Sequence, residues 1–175
     1  MNRRYYMLTR IVGLCTLVLF ILGCSSTQSV YDLSEQTQRG ITYQTYKQSS
    51  DKAFEAVDDV FTNQLPGLLG GGWEVANSDS RKKTVETEWR VIGSSQSAHE
   101  KEFKDDERIK VIARVTEKGK GSQVTFRLKK QRIVVGRPDG EDPWRDWTVK
   151  KKDAKQYLQP LFKSLNDDYL TVQTN

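Results

Sequence analysis

Residues 84–91, TVETEWRV, constrain the fold of this chain more than any other segment. Val85, Thr87, Trp89 and Val91 alternate with Thr84, Glu86, Glu88 and Arg90. In a strand, successive side chains point to opposite faces. One face here is apolar and the other charged, which marks a sheet covered on one side and wet on the other. Other elements with apolar faces must supply the cover.

Two stretches have the spacing for that task. In residues 51–65, Ala53, Phe54, Val57, Val60, Phe61 and Leu65 recur with helical periodicity, and Asp51, Glu55, Asp58 and Asp59 take the opposite face. Ser49-Ser50-Asp51 offers an N-cap, and Pro66-Gly67 is expected to end this helix. From Lys150 onward, Ala154, Leu158, Leu161 and Leu165 form a second stripe flanked by Tyr157, Phe162 and Tyr169. Pro160 lies inside it and is expected to kink or split the helix.

Further strands are legible around these. Ile41, Tyr43 and Thr45 alternate with Thr42, Gln44 and Tyr46. Trp73 and Val75 share a face after Gly70-Gly71-Gly72, a loop that lacks the Lys-Ser/Thr and helix of a phosphate-binding motif. Ile109, Val111, Ala113 and Val115 define one strand, Lys118-Gly119-Lys120-Gly121 a hairpin turn, and Val124, Phe126 and Leu128 its partner, with Thr125, Arg127 and Lys129 facing outward. Apolar parity then moves to Ile133 and Val135, which predicts a bulge near residues 130–132. The expected fold class is α+β: a single domain, residues 41–170, with an antiparallel sheet of about five strands and two helices packed on one face.

The N-terminus reads differently. Arg3, Arg4 and Arg10 precede an apolar run at residues 11–22, IVGLCTLVLFIL. A charged start, a short apolar core and a small residue at its end form the pattern of a secretory signal. Twelve residues make a helix of only about 18 Å, against a bilayer core of roughly 30 Å. Ile21-Leu22-Gly23-Cys24 resembles the lipobox of bacterial lipoproteins. The resemblance implies that residues 1–23 are a signal peptide, that the Cys24 thiol carries diacylglycerol, and that the lipid anchors the chain in a membrane. In that family an Asp after the cysteine retains the protein in the inner membrane; Ser25 stands here, which implies the outer membrane, facing the periplasm. Residues 24–40, rich in Ser, Thr and Gln, read as a flexible tether, with Val30, Tyr31 and Leu33 as apolar exceptions able to dock on another surface, and residues 171–175 as a tail.

The signal also changes the electrostatic reading. The net charge of +5 comes from 28 basic and 23 acidic residues. Without Arg3, Arg4 and Arg10, 25 basic residues face 23 acidic ones, about +2, a weak case for nucleic acid as a partner. Cys15 leaves with the signal and Cys24 is consumed by lipid, so the folded part has no disulfide and no free thiol. His99 is the single histidine, in the polar stretch GSSQSAHEKE. A Cys/His metal site and a histidine-based triad therefore have too few residues, and no cofactor motif is present. Carboxylates do cluster, at Asp105, Asp106 and Glu107 and at Asp139, Glu141 and Asp142. Such acids serve glycoside hydrolysis or loose calcium binding, so a cell-wall hydrolase is carried as an alternative.

AFEAVDDVF, GGWEV and SRKKTVETEW, in that order, resemble the helix-grip domains of BamC, a lipoprotein subunit of the outer-membrane β-barrel assembly machinery; RIKVIARVTEKGKGSQVTFRLKK resembles their second hairpin. BamC has two such domains and a long extended N-terminal segment, whereas this chain has room for one domain and a short tether. The resemblance implies a non-enzymatic interaction or scaffold module with an envelope protein partner. A lipid or small hydrophobic ligand in the groove between helix and sheet is the other alternative. Candidate contact residues are Trp144 and Trp147, which either cap the core or meet a partner, with Arg145 beside them. Lys150, Lys151 and Lys152 are candidates for anionic headgroups or cell-wall acids, or else form a solvated helical turn.

Overall fold

The computed structural model describes residues 28–93, 107–133 and 144–173. A 3-10 turn (Val30–Asp32) and a short helix α1 (Glu35–Gln38) lead into β1 (Tyr43–Tyr46). Helix α2 (Ser50–Asp59) runs through a π turn (Val60–Gln64) into α3 (Leu65–Leu69). β2 (Val75–Asp79), β3 (Thr84–Thr87), β4 (Arg90–Gly93), β5 (Glu107–Lys118), β6 (Gly121–Ile133) and β7 (Trp144–Asp146) follow, and α4 (Lys151–Asp168) comes last.

The long β5–β6 hairpin is the spine. Its turn has Gly119 at φ 60° and no positive φ at Lys120, the pattern of a type II′ turn, whose twist matches that of paired strands. β1 and β7 line β6 at opposite ends; β3 and β4 line β5 end to end, and β2 lies outside β3. All these pairings are antiparallel. The expected α+β architecture is what forms, with seven strands because one expected strand is broken into β3 and β4 and because β7 is added.

α2 and α4 pack on the same face of the sheet. Ser49 caps α2 by accepting the backbone N–H of Lys52, and Ala53, Phe54, Ala56 and Val57 are its buried side. The Phe126 ring of β6 lies 6.0 Å from Phe61 and 4.5 Å from Phe162, at the centre of the core. Leu158, Leu161 and Leu165 of α4 and Val85, Val111 and Val124 of the sheet are fully buried around it.

Four expectations about local structure change. Pro66-Gly67 does not end the first helix. The π turn restarts the helical path at Leu65, so Pro66 falls in the first turn, where its missing N–H costs no hydrogen bond. Pro160 does not split α4; the carbonyl it leaves without a donor belongs to Gln156, which faces solvent. The tether is shorter than residues 24–40: Val30 is fully buried, Tyr31 reaches Leu128, and Gln38 holds the carbonyls of Tyr31 and Leu33. Residues 171–173 are not a free tail. Lys47 and Gln173 exchange backbone bonds with Thr171 and Thr45, which covers the open edge of β1.

The predicted bulge is also in another strand. β5 and β6 stay in one register from Lys118–Gly121 to Glu107–Arg132. Register shifts occur instead within the β2–β3 pairing at residues 75–77, within the β4–β5 pairing at residues 91–93, and between β3 and β4. Glu86 faces Ile112 but Arg90 faces Ile109, so four steps on one strand match three on the other. One extra residue is accommodated there, and side chains beyond it change face.

Candidate functional site

The relocated bulge decides what the open face of the sheet carries. Arg90, opposite Ile109, turns to the helix side and lies 5.3 Å from the ring of Trp73; its guanidinium donates to the carbonyl of Gly70. Val91 turns outward and is 57% exposed. Trp89 leaves the core face that simple alternation gives it. Its ring lies 4.8 Å from the guanidinium of Arg108 and 5.6 Å from the ammonium of Lys110.

Arg108 has a second aromatic partner, Trp144 of β7, at 4.3 Å. Arg108, Gln131 and Asp146 then form a row: Arg108 donates to Gln131, and the Gln131 amide donates to Asp146. The guanidinium is thus held between two indoles and oriented by an amide, a geometry that suits a planar delocalised cation. The same face continues through Lys110, Arg114, Arg127 and Lys129; among these, Lys110 pairs with Glu86 at 3.5 Å. This is a cationic and aromatic surface on the side of the sheet that α2 and α4 leave uncovered.

On the helix side the lower end of the hairpin is also charged. Lys130 and Arg132 keep the inward parity of Val124, Phe126 and Leu128. Lys130 lies 2.8 Å from Glu107 and 3.6 Å from Asp153, and Arg132 is 3.7 Å from Glu107. An ion cluster ends the core here where the sequence suggested a bulge. Asp153 also accepts the backbone N–H of Lys150, closing the start of α4.

The N-terminal strap meets β6 where β6 has neither β1 nor β7 beside it. The phenol of Tyr31 accepts the Leu128 N–H at 2.6 Å and donates to the Leu128 carbonyl at 2.9 Å. Burial pushes this phenol up to about 12, although the Leu128 hydrogen bond and nearby Arg127 act the other way. Val30 donates to the carbonyl of Val149. Ser29, Tyr31, Leu128, Trp147 and Val149 border an open groove of 340 Å³ along this edge.

The residues singled out in the sequence separate into two places. Trp144 is on the open face with Arg108. Trp147 is 46% exposed at the β6–β7 edge, its ring 4.9 Å from the Arg132 guanidinium. Neither tryptophan joins the buried core. Arg145 pairs across the ladder with Arg132 and donates to the Trp144 carbonyl. Lys150 precedes α4, and Lys151 and Lys152 are exposed in its first turn. Cys24, His99, Asp105, Asp106, Asp139, Glu141 and Asp142 lie outside the described residues.

Trp89, Arg108 and Lys129 are site residues that the sequence does not single out, whereas Tyr31, an apolar exception in the N-terminal stretch, does dock, on Leu128. The run of cations at alternate positions, Arg108, Lys110 and Arg114 with Arg127 and Lys129 opposite, was there to be counted; the bulge that turns Trp89 outward has no comparable signal. The space between the helices and the sheet, where a ligand was considered, holds Phe61, Phe126 and Phe162. Among the described residues, no group of three or more His, Cys, Asp and Glu is placed to hold a metal ion, and no helix is long and apolar enough to cross a membrane.

No family model matches the chain, and no curated protein matches it. A solved structure of a DUF4468 family protein from Bacteroides ovatus is similar to it at 17% identity and a TM-score of 0.32. That match spans 59% of this chain and 56% of the other, so just over half of that protein's length is involved. A likeness of this degree carries no argument about activity or partners.

Proposed function

We propose that this chain is a lipid-anchored envelope lipoprotein, held in the outer membrane on the periplasmic side, whose folded domain is a non-enzymatic interaction module. The observation that carries the reading is the open sheet face, with Arg108 between Trp89 and Trp144 and with Lys110 and Arg114 further along β5. Aromatic residues and arginine are the side chains that dominate protein interfaces, and a face that no described residue covers is where a partner gains most from burial. The lipobox-like Ile21-Leu22-Gly23-Cys24 supports the anchor, and the resemblance of the helix and hairpins to BamC supports a place in an assembly or secretion complex. The partner chemistry that suits this face is an acidic protein surface, because its own exposed charge is positive.

Gentle detergent extraction followed by native mass measurement tests this. The wild-type chain is expected in a defined complex of fixed stoichiometry, and Arg108→Glu, which reverses the central charge, is expected to release it as a folded monomer whose melting point falls by no more than several degrees, the cost of its lost ring contacts. A wild-type chain recovered only as a monomer under those conditions would sink the reading. The mass of the chain taken from membranes checks the anchor: acyl groups on Cys24 are expected, and a membrane-bound Cys24→Ala variant would contradict it.

A further inference from the structure

We propose that the β6–β7 edge of the domain lies against the membrane and docks on anionic phospholipid headgroups. The inference rests on the lipidated Cys24 of the proposed function and extends it to an orientation.

The first ground is reach. Four peptide links separate Cys24 from Gln28, and a fully extended chain covers at most about 3.6 Å per link, so the lipid attachment is within about 14 Å of Gln28. Two residues further on, the chain is fixed: Val30 is fully buried and its N–H is bonded to Val149. A lipid on Cys24 therefore holds this edge, and not merely the domain, next to the headgroups.

The second ground is what the edge presents. Arg127 and Lys129 are exposed beside Tyr31, and Lys151 and Lys152 are exposed just after the Val149 that binds Val30, with Lys150 partly exposed between them. Exposed Trp147 lies in the same border. Basic side chains attract anionic headgroups within a Debye length, and indoles favour the membrane–water interface. Three acids lie near these five basic residues: Asp32, exposed just after Tyr31, Asp146, engaged by Gln131, and Asp153, engaged by Lys130 and the Lys150 N–H. Lys130 faces Glu107 and Asp153 and is not counted among the docking cations.

The third ground is that this placement opposes helix stability. Three lysines at the start of α4 meet the positive end of its dipole, where acidic residues are favoured. Their replacement by glutamate therefore separates docking from folding.

The test uses the full-length protein purified from membranes and reconstituted into vesicles carrying brominated phospholipid, with Trp emission as the readout. Bromine quenching is expected in phosphatidylglycerol-rich vesicles, at least halved in phosphatidylcholine vesicles or in molar salt, and abolished for its bromine-sensitive part by Trp147→Phe. The triple variant Lys150→Glu, Lys151→Glu, Lys152→Glu is expected to halve the quenching while melting no lower than wild type. Quenching that is absent, indifferent to lipid charge, or unchanged in Trp147→Phe overturns the docking. Intact mass on the same sample separates the two readings: an acylated chain without quenching overturns the docking alone, whereas a chain with no acyl group on Cys24 removes the leash and overturns both.

Discussion

Val111 donates its backbone N–H to the side-chain hydroxyl of Thr87, 3.1 Å away, in the middle of the core. The same hydroxyl donates to the Glu88 carbonyl, and Thr87 is fully buried. A bulge interrupts the ladder at this point, and a side chain fills the gap that it leaves. Thr87→Val keeps the shape and removes both bonds. It is expected to destabilise the protein by about 1–3 kcal/mol, the cost of leaving buried backbone groups unpaired. Thr87→Ser should recover most of that in urea unfolding. Equal stability of Thr87→Val and wild type would show that the hydroxyl does not hold the bulge.

This pair also marks where sequence reading stops. Both packing helices, the main strands and the hairpin turn were legible, because burial on one face imposes a period on every element. Thr87 and Trp89 fit the same apolar alternation as Val85, so nothing in the spacing shows that the ladder slips between them. The apolar parity change near residue 130 has the form of a bulge, yet an unbroken strand can end its apolar face in ion pairs, as Lys130 does with Glu107. The N-terminal strap was legible only as three apolar exceptions, Val30, Tyr31 and Leu33, in a polar stretch. Its anchors, Val30 and Tyr31, are too few to make a period, and their burial depends on β6, nearly a hundred residues away.

Arg108 is predicted to couple Trp89 and Trp144. Each ring offers about 0.5–1 kcal/mol at a partly exposed site. Arg108→Ala is therefore expected to cost about 1–2 kcal/mol in all. A double-mutant cycle between Arg108→Ala and Trp144→Ala should return a coupling of about 0.5 kcal/mol or more. Strict additivity would mean that the stacked geometry carries no energy.

Tyr31→Phe deletes the one group that serves both the N–H and the carbonyl of Leu128. The expected loss is about 1–3 kcal/mol, which for a domain of this size lowers Tm by several degrees. The phenol also sets an alkaline limit. Its folded value is raised from 10.0 to about 12, so its contribution is intact below pH 10 and is lost as pH rises to about 12. Wild type should lose stability through that window more steeply than Tyr31→Phe; parallel alkaline melting curves would contradict the burial of this hydroxyl.

The two glycines of the β5–β6 turn should respond differently to alanine. At Gly121 an added Cβ would lie 2.0 Å from the backbone carbonyl oxygen of Tyr46, which cannot move without displacing β1. Overpacking of this kind costs about 1–3 kcal/mol or more. At Gly119 a Cβ meets nothing within 4 Å, and only the left-handed φ of 60° opposes it, at a cost of about 1–2 kcal/mol. Gly121→Ala should also expose β1 and the residues bound to it, read as faster hydrogen exchange at Lys47 and Gln173. Exchange unchanged at both sites would mean that β1 does not depend on this close approach.

The last prediction concerns the junction of the two packing helices. Tyr169 donates a hydrogen bond to the Asp59 carboxylate, and Asn63 donates to the same carboxylate at 2.6 Å. Gln64 bridges the cluster: its amide donates to the Tyr169 oxygen at 2.7 Å, and its carbonyl accepts from Ser164 at 2.5 Å. Asp59 and Gln64 flank or lie in the π turn, and Ser164 and Tyr169 lie on or just after α4, so this cluster joins the two elements through polar contacts. The Tyr169 bond, then the Asn63 bond, hold the Asp59 carboxyl below its ordinary value, while the same bond raises the Tyr169 phenol. A carboxyl that titrates lower in the folded state contributes stability that is present above its unfolded value of 3.8 and is lost as pH falls through the folded value. Tyr169→Phe should move the Asp59 carboxyl titration upward toward 3.8 in carbon-detected NMR, and make acid unfolding less steep below that pH. Asp59→Asn should bring the Tyr169 phenol down toward 10.0 in ultraviolet titration. If either group keeps its titration after its partner is removed, the helices are joined by packing alone, and the π turn at residues 60–64 has some other cause than the placement of Gln64.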